Sequence, residues 1–246
     1  MAKVRLQKIL ADAGIASRRK CEEIILEGDV RVNREVVDEL PAFADPEVDR
    51  ITYMGRRISS ETKVYFLLNK PKGVLCTNSD PLNRKIAIDF VPVRQRVFCV
   101  GRLDKETTGA IIITNDSELA NRLTHPRYEL SKTYEILVKG QLDGESIEKL
   151  KKGIWLSEGK TKRSIIKVLH RGPNETLLEM TIFQGKNRQV RRMLARLDFK
   201  VKRLKRTKIG NISLKGVGIG NFKQLTGKQI AYLRKATRLE GGKDGK

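Results

Sequence analysis

Asp104 is the carboxylate best placed to do chemistry, because it stands in Gly101-Arg102-Leu103-Asp104-Lys105-Glu106-Thr107-Thr108-Gly109 between two apolar runs. Val97-Phe98-Cys99-Val100 leads in and Ala110-Ile111-Ile112-Ile113 leads out. Continuous apolar runs of that length between turn residues read as buried strands. A loop between core strands presents reactive groups from a rigid scaffold. On spacing alone, the plainer reading is a surface turn with an Arg102–Asp104 pair.

Two other stretches carry candidate groups. Ser131-Lys132-Thr133-Tyr134-Glu135-Ile136-Leu137-Val138 alternates like a half-buried strand, with Lys132, Tyr134 and Ile136 on one face. In Gln184-Gly185-Lys186-Asn187-Arg188-Gln189-Val190-Arg191-Arg192-Met193-Leu194, Val190, Met193, Leu194 and Leu197 form an apolar stripe. Arg188, Arg191 and Arg192 fall opposite it on one helix. Grouped guanidinium groups offer planar donors to phosphate or carboxylate. No acid lies between Gly185 and Arg196, so this face reads as a nucleic-acid contact more than a solvated surface.

Composition supports a polyanionic partner. The 246 residues hold 51 Lys+Arg against 29 Asp+Glu, a net charge of +22. Such a charge repels itself unless it meets nucleic acid or an anionic membrane. A membrane-surface protein wants a basic helix rich in large apolar residues, and the single Trp argues against one. The three cysteines, Cys21, Cys76 and Cys99, are odd in number and far apart in the chain, which reads as buried thiols in a reducing compartment. With only His125 and His170 there is no zinc spacing, so no metal is expected. Neither a signal peptide nor a membrane span is visible, so a cytoplasmic location is expected.

The elements follow from periodicity. Leu6, Ile9, Leu10 and Ala13 mark a first helix ended by Gly14; Ser17 caps a second, with Cys21, Ile24 and Ile25 inward. The second helix opens on Arg18, Arg19 and Lys20, cations that oppose its dipole unless a phosphate lies nearby. Val30 to Val37 around Asn33-Arg34 reads as a hairpin. Residues 38–62 are turn-rich and are expected to finish the small domain's sheet and then serve as the hinge. Strands are expected at 64–69 and 74–77 on either side of a tight basic loop, Lys70-Pro71-Lys72-Gly73. Asp116 or Asn115 caps a helix ending by His125-Pro126, 142–152 reads as a helix, and 162–170 and 175–183 as strands. Residues 201–210 continue the basic surface as strand and loop, and a helix near 228–235 closes the domain. The tail, 239–246, reads as disordered.

The first of these blocks resembles the S-four RNA-binding domain, through Arg5-Leu6-Gln7-Lys8, Ala16-Ser17-Arg18-Arg19 and Glu27-Gly28-Asp29-Val30-Arg31-Val32-Asn33. That family usually has Gly where this chain has Arg34, and a non-glycine residue at positive φ costs about 1 kcal/mol. Gly101-Arg102-Leu103-Asp104 with Thr107 and Gly109, Lys132-Thr133-Tyr134, Asn187-Arg188-Gln189-Val190-Arg191-Arg192-Met193, and then Leu204, Arg206, Ile209 and Gly210 are collinear with another family. Together they resemble the bacterial ribosomal RNA pseudouridine synthases linked to an S-four domain, with the large-subunit branch slightly favoured over the small-subunit one.

The resemblance implies an α+β fold: a small N-terminal S-four-like domain (1–62) and a catalytic domain (63–238) with a mixed, largely antiparallel sheet flanked by helices. It implies an isomerase that turns a uridine of ribosomal RNA into pseudouridine by base flipping, with no cofactor and no metal. Asp104 would be the essential carboxylate, acting as nucleophile at C1′ or as base on the ribose. Arg191 would be its basic partner. Tyr134 would stack on the flipped base and pass a proton, with Leu204 as the wall beneath. Arg102 would open the RNA or grip a phosphate; Lys132, Arg188 and Arg192 would bind substrate. Arg5, Lys8, Arg18, Arg19, Lys20, Arg31 and Arg34 would hold RNA in the small domain. The expected partner is ribosomal RNA, free or in pre-ribosomal particles, and the expected state is a monomer. The rival is a ribosome-assembly or RNA chaperone factor, which has no use for Asp104, Tyr134 and Arg191 together.

Overall fold

Residues 3–239 are described by a computed structural model of the chain. Most of the expected tail, 240–246, lies outside them. Two compact units are present: one runs through Val64 and takes in Arg94–Arg96, and the other holds Tyr65–Val93 and the chain from Val97 on.

In the small unit, β1 (Val4–Arg5) leads into α1 (Leu6–Asp12), and α2 (Arg18–Leu26) follows. Ser17 Oγ accepts from the Lys20 N–H at 3.2 Å, satisfying one of the donors that a helix start leaves open. The hairpin of β2 (Val30–Val32) and β3 (Glu35–Val37) turns through Asn33 and Arg34 at φ 52° and 79°. Positive φ at both central residues is the turn type whose twist matches paired strands. Arg34 therefore carries the strain expected of it. Asn33 offsets part of that cost: its Nδ2 donates to Asp49 at 2.7 Å and its Oδ1 accepts from the Arg50 N–H at 2.9 Å. The rest of the unit is β4 (Phe43–Ala44), β5 (Ile51–Tyr53) and β6 (Arg56–Arg57). Its core joins Leu6, Leu10, Cys21, Ile24, Ile25 and Val30.

The large unit starts with β7 (Tyr65–Lys70), buried at every residue. Residues 74–77 do not form the expected second strand; only an isolated bridge from Leu75 to Ile86 is made. Next come β8 (Phe98–Cys99), β9 (Thr108–Thr114), α3 (Ser117–Thr124), β10 (Lys132–Lys139) and α4 (Gly144–Lys152). A small hairpin, β11 (Trp155–Leu156) and β12 (Gly159–Lys160), precedes β13 (Ile165–Arg171) and β14 (Glu175–Ile182). The chain closes with α5 (Gln189–Ala195), β15 (Val201–Ile209), β16 (Ile212–Ser213), β17 (Phe222–Gln224) and α6 (Gly227–Ala236).

The main sheet runs β13-β14-β10-β15-β9-β7-β17. Only β9 and β15 pair in parallel; the other pairs are antiparallel. The fold is α+β, as the resemblance implies. Ile111, Ile112 and Ile113 on β9 are fully buried or nearly so, each stabilising by about 1.5–3 kcal/mol relative to exposure. Leu119 and Leu123 of α3 and Leu233 of α6 cover one face, and Leu239 packs against the same core. Asp116 caps α3 by accepting from the Leu119 N–H at 2.9 Å, and the Tyr65 hydroxyl donates to it at 2.7 Å. No helix among the described residues is long and apolar enough to cross a membrane.

Candidate active site

Asp104 lies on the loop between β8 and β9, and that loop is fastened from below. The Leu103 side chain is buried, and its N–H donates to Cys76 Sγ at 3.4 Å. Cys76 and Cys99, far apart in sequence, are adjacent thiols here, both free. The Thr107 N–H closes the turn onto the Asp104 carbonyl at 3.0 Å, and the Gly73 N–H reaches the Lys105 carbonyl at 2.9 Å. Lys70 is fully buried at the end of β7 and donates to the carbonyls of Val74 at 2.8 Å, Pro71 at 3.0 Å and Lys105 at 3.5 Å. Burial pulls the Lys70 amine below its ordinary pKa, against the upward pull of Cys76, Cys99, Asp104 and Glu106. The sequence places Lys70 in a tight basic loop, whereas in the structure it is the last residue of β7. The available signal was its position directly after an unbroken strand run.

The loop leaves through Gly109, which pairs with Arg206 across the parallel strands. At φ 107°, a Cβ on Gly109 would come within 2.2 Å of the Arg206 carbonyl, so only glycine fits. This contact sets Asp104 over β15. Arg206 Nε donates to the Ala110 carbonyl at 2.6 Å, and Tyr134 sits opposite Arg206 where β10 bulges against β15. Ile136 sits opposite Leu204, so Tyr134 and Leu204 are neighbours on adjacent strands.

Asp104, Tyr134, Lys132, Leu204, Arg102 and Arg188 line one cavity of about 170 Å³. Tyr134 and Leu204 are buried in its wall, and Asp104 is half-buried at its rim. Lys132, on the same wall, is pushed down to about 8 by burial and by the Arg206 guanidinium. Thr107 and Arg206 also line the cavity, and Thr107 Oγ1 and Arg206 Nη2 are buried without a partner among the described residues. Neither had been given a role from sequence.

The arginine helix needs correction. Arg188 is not on it: it takes φ 46°, caps α5, and pairs with Asp104 at 3.2 Å. Arg191 does not line this cavity. Its Nη1 donates to the Val201 carbonyl at 3.3 Å, and it feels Asp104 only through space. Its pKa is lowered by burial first and by Arg188 second, with Asp104 and Glu106 pulling the other way. Arg192 turns away to Glu158, with Nη1 and Nη2 at 2.6 and 2.5 Å. The acids absent from the local sequence are thus supplied by distant segments.

Within the small unit, Arg5, Arg18, Arg19, Arg31 and Arg34 are exposed, and none has an acid within 4.0 Å among the described residues. Arg31 donates to the Arg34 carbonyl at 3.2 Å. Lys20 pairs with Glu23 at 2.8 Å and Glu27 at 3.8 Å, which raises its pKa. Lys8 is half-buried beside Asp12 and Asp49 in a groove of the unit.

A carboxylate, an aromatic ring, an aliphatic wall and excess cations around one base-sized cavity suit a nucleoside chemistry with anionic flanks. Residues 64–196 match the family model for RNA pseudouridylate synthase, and residues 4–40 match that for the S4 domain. The chain belongs to the RNA pseudouridylate synthase family. It is 43% identical over 233 residues to ribosomal large subunit pseudouridine synthase B of Bacillus subtilis, covering 94% of this chain and 95% of that one. It is also 43% identical to an RNA pseudouridine synthase of Aquifex aeolicus, covering 98% and 97%. A crystal structure of a pseudouridylate synthase superimposes with a TM-score of 0.69 at 28% identity, over 94% of this chain and 99% of that one. The synthase is thus an isomerase that turns uridine in RNA into pseudouridine, and its N-terminal S4 domain is of an RNA-binding kind.

Proposed function

We propose that this synthase isomerises a uridine of large-subunit ribosomal RNA, with Asp104 as the carboxylate on which the reaction depends. The observation that carries the reading is the meeting of Asp104, Tyr134 and Leu204 around a single cavity with Arg188 paired to the carboxylate. The named activity of the Bacillus subtilis relative supports the substrate.

In this reading the uridine leaves its helix and lies against Tyr134, with Leu204 beneath it. Asp104 either attacks C1′ or takes a ribose proton, with the Arg188 guanidinium 3.2 Å from its carboxylate. The N1–C1′ bond breaks, the base turns in the cavity and C5 bonds to C1′, and Tyr134 passes on the proton that C5 releases while N1 gains one, so the isomer keeps its composition. Arg191 adds positive charge from behind, and Arg102 and Lys132 meet the flanking phosphates. The small domain, ending near residue 62, supplies Arg5, Lys8, Arg18, Arg19, Lys20, Arg31 and Arg34 to hold the RNA. The synthase works in the cytoplasm as a monomer, on free RNA or on assembling particles, because the RNA itself supplies the second surface.

The test is tritium release from ribosomal RNA labelled at uridine C5. Wild type releases label and Asp104→Asn does not. Equal release by the two proteins would sink the assignment.

A further inference from the structure

We propose that Trp155 is a stacking platform for an unpaired RNA base flanking the target uridine, a role that rests on the substrate reading above. Trp155 is the only tryptophan in the chain and is 69% exposed. Packing does not require it: on β11, Leu156 is the buried residue, while Trp155 faces outward opposite Lys160 of β12.

The hairpin that displays it is tied to two segments that each contribute a residue to the lining of the Asp104 cavity. At its turn, Glu158 and Ser157 accept from Arg192, the serine at 2.9 Å. Lys186 Nζ donates to the carbonyls of Glu158 at 3.2 Å and Gly159 at 3.1 Å. Beyond the hairpin, Lys162 pairs with Glu129. Lys186 lines the cavity, as does Leu130, which follows Glu129. An indole on a short strand clamped at two such points is held in place, so stacking on it costs little further ordering.

The charge around the indole selects the occupant. Lys152, Lys160, Lys162 and Arg163 are all exposed, and Lys160 and Arg163 have no acid within 4.0 Å among the described residues. A protein partner would want contiguous apolar surface beside the ring, whereas a nucleotide strand brings a π-face and a phosphate together. A duplex hides its base faces, so the base must be unpaired.

The sole tryptophan makes the contact directly visible. Full-length protein is titrated with a ribosomal RNA transcript that it turns over in the tritium assay, and with a fully paired duplex of equal length. Quenching of Trp155 fluorescence by the transcript, with far less by the duplex at equal bound fraction, is the expected result. Trp155→Ala should raise KM about tenfold with kcat and thermal stability held, and Trp155→Phe should recover most of the loss. Bound transcript without quenching, or an unchanged KM in Trp155→Ala, overturns the proposal; so does quenching only by a ribosomal protein. If wild type releases no tritium from any ribosomal RNA, the substrate reading fails instead, and quenching by bound single strands still decides the platform.

Discussion

Arg18 and Arg19 at the start of α2 and Arg188 and Arg192 around α5 carry the same charge beside helices of similar length, yet their surroundings differ. The first two extend into solvent with no acid in reach among the described residues. The second two are each held by one carboxylate, Asp104 or Glu158. A guanidinium fixed by a carboxylate acts on what that carboxylate does, so its effect is local and geometric. One left in water acts on any phosphate that arrives, so its effect is additive and sensitive to salt. In each case the partner tells the role apart; the arginine alone does not.

The heaviest blow to this contrast comes through the anchoring acid. Asp104→Asn should lower tritium release by at least roughly 10³-fold while the melting temperature stays near that of wild type. Arg188→Ala removes a half-exposed pair worth up to about 1 kcal/mol and should lower kcat by roughly up to fivefold. Arg191→Met should lower both turnover and thermal stability, since it takes away charge behind Asp104 and the donor to Val201. For Arg18→Glu with Arg19→Glu, RNA affinity should fall and the slope of log affinity against log salt should flatten by about 1 per lost phosphate contact, with kcat retained. Should that double reversal lower kcat at saturating RNA, or Arg188→Ala change only the salt slope, the distinction between held and free cations collapses.

Two smaller effects refine it. Lys132 titrates near 8 in the folded protein against about 10.4 unfolded, so between those values the unfolded chain binds more protons. Its contribution to stability therefore rises with pH across that window, and Lys132→Met should flatten the pH dependence of chemical unfolding there. Arg34→Gly relieves positive φ and should raise unfolding free energy by about 1 kcal/mol in the same assay, less what glycine loses in chain entropy.

Local pattern carried most of the architecture. The apolar runs around Asp104, the Ser17 and Asp116 caps, and the alternation through Tyr134 each depend on residues close in sequence, and each is present. Reading went astray where a partner sits far away. Arg188, Arg191 and Arg192 share a helical period but not a fate, because Asp104 and Glu158 arrive from distant strands. Lys70 reads in sequence only as part of a tight basic loop, because the carbonyls that enclose it come partly from the Asp104 loop. Residues 74–77 have strand composition but find only one bridging partner. Asp104 and Tyr134, which the resemblance gave as carboxylate and stacking ring, line one cavity, and the arginine paired with the carboxylate is Arg188, where the resemblance implied Arg191.

The parallel seam between β9 and β15 also governs when the site can exist. Arg206 grips the Ala110 carbonyl across 96 residues of chain, and Leu204 belongs to the same late strand. Contacts so remote in sequence form after local helices and hairpins, because a long loop must close first. During synthesis, Asp104 leaves the ribosome well before the floor of its own cavity has been made. A chain that stops short of Val201 lacks Leu204 and Arg206, and with them a wall of the cavity that Asp104 lines.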